Sequence, residues 1–279
     1  MGTIAVVTDS TADLPRDLCE QYGITVVPLH IAFGDELIVD GTISQQEFFD
    51  RMNAASQLPT TSQPPVGAFV DVYRHALETA SEVISVHISS KLSGTLESAR
   101  RAAEEFAGKV HVVDSLNLSW ALGFQALEGA RAAAAGLELR DVIARIEGVR
   151  DRVQMIVSLD SIDNLVKGGR ISALAGAIGG ALNVRLSITV KDGAFVPVRP
   201  YRTAKAALKH GLDWVEGRLG PTKRGAFCVI HALSEDRALW LKDQILERFD
   251  ASEVFVAETG VVIATHTGTG WGIAFVPEV

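Results

Sequence analysis

Thr265-His266-Thr267-Gly268-Thr269-Gly270 places an imidazole, three hydroxyls and two glycines on six adjacent positions. Such a stretch can turn backbone N–H groups and a histidine donor toward one small anion. The runs on either side, Gly260 to Ala264 and Trp271 to Val276, read as buried strands, so the stretch is predicted to be the loop between them. Gly-x-Gly also occurs in dinucleotide loops, but those loops open a helix and this one opens a strand. A nucleotide is therefore disfavoured, and a plain hairpin turn fits the same residues.

Four other segments carry concentrated polar chemistry. Asp9-Ser10-Thr11-Ala12-Asp13 follows the first predicted strand, the position where open α/β sheets bind ligands. Asp13 with Pro15 also suits the start of a helix. A phosphatase would want two aspartates one residue apart, and Thr11 occupies that place. Pro59-Thr60-Thr61-Ser62-Gln63-Pro64-Pro65 holds three consecutive hydroxyls on a backbone stiffened by prolines. Hydroxyls can donate to a carboxylate without burying an opposing charge, although an exposed loop accounts for them as well. Ser89-Ser90-Lys91-Leu92-Ser93-Gly94-Thr95 joins a buried strand to a helix. The free N–H groups of a helix start suit an anion there, while Ser93 can equally serve as a cap. Lys167-Gly168-Gly169-Arg170-Ile171-Ser172 sets a guanidinium on a flexible turn, able to grip a carboxylate or to bridge two elements.

A nucleophilic reading of the same residues is an acyl hydrolase, with Ser93 or Ser62 attacking, His266 as base and Asp9 or Asp114 orienting it. Neither serine lies in a Gly-x-Ser-x-Gly elbow, which disfavours it. The seven histidines are scattered without ligand spacing, so no metal is expected, and no phosphate-cradling Walker sequence is present.

These segments need a scaffold. Ile4 to Thr8, Val26 to Phe33, Val83 to Val86 and Val110 to Val113 read as extended. Between them, Ser44 to Glu47 forms a capping box before Phe48, Phe49 and Met52, and helices are predicted over Val66 to Ala80, Gly94 to Phe106 and Leu118 to Ala135. Alternating strands and helices predict a parallel sheet covered by helices. After Val153 to Val157 the texture changes to short helices over Ile162 to Val166 and Leu174 to Leu182. A hairpin turns at Lys191-Asp192-Gly193, and a helix spans Ala204 to Arg218. Strands at Phe227 to His231 and Val254 to Val256 flank a helix opening at Ser234-Glu235-Asp236. The expected fold class is α/β in two domains, 1–155 with a mainly parallel sheet and 156–279 with a mixed sheet and helices. A ligand site is expected in the cleft between them.

Composition narrows the function. A net charge of −8 argues against nucleic acid, and 47% hydrophobic residues promise a substantial core. Cys19 and Cys228 offer neither a disulfide framework nor zinc spacing. The longest small-apolar run, Ala173 to Leu182, is too short to span a membrane, so no integral membrane segment is expected. The start lacks the features of a signal peptide, and Val6 stands where a myristoylation site wants Ser or Thr. A cytoplasmic protein is expected.

Taken together, Thr8 to Pro15, Pro59 to Pro64, Ser89 to Thr95 with Ser98-Ala99, Val112 to Ser115, Gly168 to Ser172 and Thr265 to Gly270 resemble the DegV family of fatty-acid-binding proteins. They occur in the family's order over essentially the whole chain. The resemblance implies two α/β domains that bury a long-chain fatty acid in a tunnel between them, with no cofactor and no catalysis. It implies carboxylate donors at Thr61, Ser62, Ser93, Gly94 and His266, with Arg170 at the mouth of the site. It also implies a partner, a fatty acid kinase that phosphorylates the presented head group, docking near Arg202 and Lys205 in Tyr201-Arg202-Thr203-Ala204-Lys205. Two positions depart from the family: Thr269 stands where proline is expected between the last two glycines, and Pro65 where serine is expected after Pro64. The small residues of Ala173 to Leu182 could leave room for an acyl chain or allow close helix packing.

Overall fold

The structure, a computed structural model, describes residues 2–170 and 185–278. The expected helix over Leu174 to Leu182, and with it the small-residue run and Ile171-Ser172, lies outside the described residues. The chain forms two compact units, Met1–Thr42 with Thr61–Asp151, and Ile43–Thr60 with Arg152–Val279.

The first unit is built on a parallel sheet of strands β1 (Ile4–Asp9), β2 (Ile24–Val27), β6 (Glu82–His87) and β7 (Val110–Asp114), in the order β2-β1-β6-β7. The β-branched runs of the central strands β1 and β6 are buried on both faces, as parallel strands require, while the edge strands β2 and β7 are only partly buried. Helices α3 (Val66–Ala76) and α4 (Thr95–Ala103) cover one face over Val7, Val27, Val83 and Val110. Helices α1 (Arg16–Tyr22) and α5 (Ser119–Ala134) pack together on the other, α5 against β1 and β6. The chain therefore leaves β1 and β6, adjacent in the sheet, toward opposite faces. That divergence opens a crevice at their C-terminal ends, where α/β sheets take ligands. A small sheet of β3 (His30–Phe33), β4 (Glu36–Val39) and β5 (Thr60–Ser62), and helix α6 (Leu139–Arg152), complete the unit's environment.

The second unit contains helix α2 (Gln45–Ala54), α7 (Asp163–Lys167), α8 (Ala204–Leu219), α9 (Glu235–Arg248) and α10 (Val261–Thr267). Its sheet joins β8 (Gln154–Leu159), β9 (Arg185–Lys191), β10 (Ala194–Tyr201), β11 (Arg224–Ala232), β12 (Asp250–Glu258) and β13 (Gly270–Pro277), in the order β10-β9-β8-β13-β11-β12. Only β11 and β12 run parallel, so the sheet is mixed. Helices α8 and α9 cover a core in which Phe227 stacks on Phe249 and Phe275. Asp192 and Gly193, both at positive φ, make the tight turn between β9 and β10. The α2 excursion is held by Gln45. Its amide nitrogen donates to the carbonyls of His231 and Thr259, at 3.2 and 2.6 Å, and its oxygen accepts from the Leu233 N–H.

Two local expectations are corrected. Residues 261–267 are a helix and not a strand, so His266 sits in a helical last turn and not in a loop. Val261, Val262, Ile263 and Ala264 are all buried, and a short apolar run buried on every side has no period that separates helix from strand. Asp13 does not cap α1; it sits at φ 53 after a single 3-10 turn, and its carboxylate accepts from the Ser119 hydroxyl. Helix α1 starts after Pro15 with no side-chain cap.

Candidate functional site

The polar segments after β1, β6 and β7 lie at the C-terminal ends of parallel strands, whereas Thr61 and Ser62 lie on β5 of the small sheet. Asp9, closing β1, is fully buried and anchors the crevice. One carboxylate oxygen accepts from the Thr11 N–H and hydroxyl; the other accepts from the Ile88 N–H at 3.0 Å and pairs with His87 Nδ1 at 2.9 Å. His87 Nε2 meets the Ser85 hydroxyl at 2.6 Å, and Ser85 meets the Tyr73 hydroxyl at 2.8 Å. These atoms have the connectivity of a catalytic triad. All four side chains are fully buried, however, and Phe69 stands edge-on over the imidazole, so no substrate reaches Ser85. The string ties the turn after β1 to the end of β6, from which the Ser89 to Gly94 loop departs.

That loop is braced from several directions. Ser89 N–H donates to Asn117 O at 2.8 Å, and the Ser90 hydroxyl donates to Asp114 at 2.7 Å. Ser93 Oγ accepts from the Thr95 N–H at 3.3 Å and contacts Thr95 Oγ1 at 2.9 Å, so it bonds the first residue of α4 from just before the Gly94 cap while remaining half-buried. Gly94 opens the nine-residue helix, whose first N–H groups carry its partial positive charge. Thr61, half-buried, and Ser62, exposed, lie on β5. The next residue, Gln63, sets its amide against Gly94 and donates to Ser98 Oγ at 3.0 Å. Gln63 thus brings the Thr61–Ser62 strand and the Ser93–Gly94 helix start together. Sequence reasoning did not single it out, although it lies within the proline-framed run.

In the second unit, His266, Gly168 and Arg170 converge. A methyl group at Gly168 would overlap His266 Nδ1 and lie 3.0 Å from Asn164 O, so only glycine lets the imidazole sit here. Burial, and then the nearby Arg170 charge, push the His266 pKa down to about 4. The imidazole is therefore neutral near pH 7, while Arg170 supplies the positive charge. Arg170 Nη1 donates to Gly168 O at 2.7 Å, which folds the guanidinium back over the Gly168-Gly169 turn. Asn164, another residue the sequence did not flag, donates from Nδ2 to Thr265 O at 3.2 Å and also meets Met52 Sδ at 3.7 Å.

Of the hydrolase's orienting candidates, Asp9 is committed to His87, and Asp114 accepts from Ser90 and the Leu116 N–H. Arg202 and Lys205 are exposed, one after β10 and the other in the first turn of α8, a helix capped by Thr203 Oγ1. Among the described residues, no group of three or more His, Cys, Asp or Glu could hold a metal ion, and no helix is long and apolar enough to cross a membrane.

The molecule is an α/β protein of two units, one with a parallel sheet and one with a mixed sheet, carrying hydroxyl, imidazole and guanidinium groups at strand and helix ends. It belongs to the DegV family: the family described as "Uncharacterised protein, DegV family" matches residues 3–278. A DegV domain-containing protein of Deinococcus radiodurans is 36% identical over 281 residues, covering 99% of each chain. The solved structure of a DegV family protein from Thermus thermophilus, described for its fatty acid binding, is similar at 35% identity and a TM-score of 0.94, covering 99% of this chain and 100% of that one. DegV from Bacillus subtilis, described as a fatty acid binding protein, is similar at 30% identity and a TM-score of 0.91, with both chains covered in full.

Proposed function

We propose that this protein binds a long-chain fatty acid without transforming it, and presents the carboxylate to a partner. The observation that carries the reading is the pairing of a neutral His266 with Arg170 at a place kept open by Gly168. A buried carboxylate is costly unless it is hydrogen-bonded and its charge is met, and these two side chains answer both needs. Thr61, Ser62, Ser93 and the N–H groups at Gly94 would supply the remaining donors. The acyl chain would supply affinity at about 0.8 kcal/mol per buried methylene, with little chain selectivity. The Thermus and Bacillus relatives, described as fatty acid binding, support the ligand class. The exposed Arg202 and Lys205 suit an acidic docking surface on a fatty acid kinase, which would bring the phosphoryl-transfer machinery that this chain's sequence lacks.

Natively purified protein, denatured and extracted into organic solvent, should yield close to one fatty acid per chain by mass spectrometry. An empty extract, repeated after incubation with oleate, would overturn the reading. Turnover of an acyl ester that disappears in Ser93→Ala would replace it with the hydrolase. Thr61→Val removes one hydroxyl donor at nearly constant volume. It should weaken retention about fivefold, the effect of about 1 kcal/mol for one neutral hydrogen bond, in a fluorescent fatty-acid displacement assay.

A further inference from the structure

Helix α10 is only seven residues long, and two turns of helix do not fix a terminal side chain by themselves. His266 is the sixth of those residues, so its orientation depends on what holds the helix's C-terminal end. Gly268 closes the helix through its N–H to Ala264 O at 2.8 Å, and Gly270 begins β13 opposite Leu159. Between these glycines stands Thr269, and its surroundings are unusual for a turn residue. Its carbonyl accepts from the Asp160 N–H at 3.1 Å, and its hydroxyl donates to Asp160 Oδ2 at 3.2 Å. Asp160 is gripped from the far side by Arg237 in the first turn of α9, with Nη1 at 3.0 and 3.1 Å from the two carboxylate oxygens. Both partners of this ion pair are mostly shielded, with 33% and 28% of their side chains exposed. The pair is thus less screened than a surface one.

We infer that Asp160 and Thr269 are positioning residues for His266, carrying the anchorage of Arg237 on α9 to the turn that ends α10. Asp160 is the pivot. It directly follows β8, its segment leads into α7 and the Gly168-Gly169-Arg170 turn, and its side chain holds the opposite arm, Thr269. One carboxylate thereby sets the spacing between the two arms that bring Arg170 and His266 together. Without the hydroxyl bond, the backbone pair between Asp160 and Thr269 remains and the fold persists. The turn gains freedom, and the imidazole is no longer held against Gly168 beside Arg170. The functional arm of this inference rests on His266 acting as a carboxylate donor.

The test uses the full-length protein stripped of lipid, with Thr269→Val, Thr269→Ser and Asp160→Asn. The first readout is the NMR titration of the His266 ring, which needs no ligand. Thr269→Val and Asp160→Asn should move its midpoint up toward that of an exposed histidine by about one unit, as burial and the Arg170 field weaken. Thr269→Ser, which keeps the hydroxyl, should restore the wild-type midpoint; a merely structural loss would not discriminate Val from Ser in this way. The second readout is oleate release, expected to quicken about fivefold in the same two variants. A His266 midpoint unmoved in Thr269→Val overturns the inference, whether or not Asp160→Asn folds. A midpoint that moves while oleate release stays unchanged supports the positioning role and overturns His266 as a head-group donor.

Discussion

Alanine at Gly168 should release a bound fatty acid about as effectively as alanine at His266 itself. The backbone at Gly168 lies at φ −77, a conformation any residue adopts, so the substitution strains nothing locally. Its cost is steric. The added methyl overlaps the His266 ring nitrogen, with the Asn164 carbonyl close on another side, so the imidazole must swing away. Once displaced, it leaves the carboxylate one hydrogen bond short in a partly dry site. A hydrogen bond to a charged group contributes about 1.5–3 kcal/mol, which corresponds to a loss of affinity of about 10- to 150-fold. His266→Ala removes the same donor directly and should fall in the same range. Because both changes act on one interaction, the double variant should be little worse than either single one. Oleate displacement for the three variants, with thermal unfolding to confirm intact folds, decides the matter. Retention of wild-type affinity in Gly168→Ala, with the fold intact, would separate His266 from the ligand.

The sequence displayed the scaffold of the first unit more clearly than the details of its site. Val83 to Val86 and Val110 to Val113 are short β-branched runs punctuated by glycine and hydroxyl residues, and both became strands of the parallel sheet, the first central and the second at its edge. Their polar continuations fell at strand ends, so the chemistry-bearing segments were found by position as much as by residue type. The Asp192-Gly193 turn announced its hairpin because few residues accept two successive positive φ angles. Helix α6 was legible but missed: Val142, Ile146 and Val149 recur at helical spacing and are all buried. Other features had no local signal. Asp13 is satisfied by Ser119, Gln45 by the ends of β11 and β12, and Thr269 by Asp160. Each partner is more than a hundred residues away, and each bond exists only once the sheet has formed. The helical state of 261–267 is of the same kind. Its β-branched residues favour a strand alone, but burial on all sides decides, and Thr265 and Thr267 return their hydroxyls to the carbonyls of Val261 and Ile263.

Lipid-free protein should lose stability on mild acidification, and His266 should account for a large part of the loss. In the folded protein its pKa lies at about 4, against about 6.5 for an unfolded imidazole. Below pH 6.5 the unfolded chain therefore takes up a proton that the folded chain refuses, and unfolding is favoured. The stabilising contribution is complete above about pH 6.5, fades as the pH falls, and is gone near pH 4. The interval of about 2.5 units amounts to about 3 kcal/mol. Burial and the Arg170 charge act in the same direction, because both oppose a proton on the ring. His231 and His210 are also held below the ordinary value, mainly by burial, and contribute to the same window. They are unchanged in His266→Gln, so subtracting its pH profile from that of the wild type isolates His266. Urea unfolding at intervals from pH 7 to pH 4 should show the wild type losing about 3 kcal/mol more than the variant. Parallel profiles would mean that the imidazole is not held neutral by its surroundings. A carboxylate bound beside His266 reverses the local field, raises its pKa and lets the ring charge without unfolding the chain. Oleate should therefore flatten the wild-type profile and leave that of His266→Gln nearly unchanged, which ties the acid sensitivity to the same contact that Gly168 keeps open.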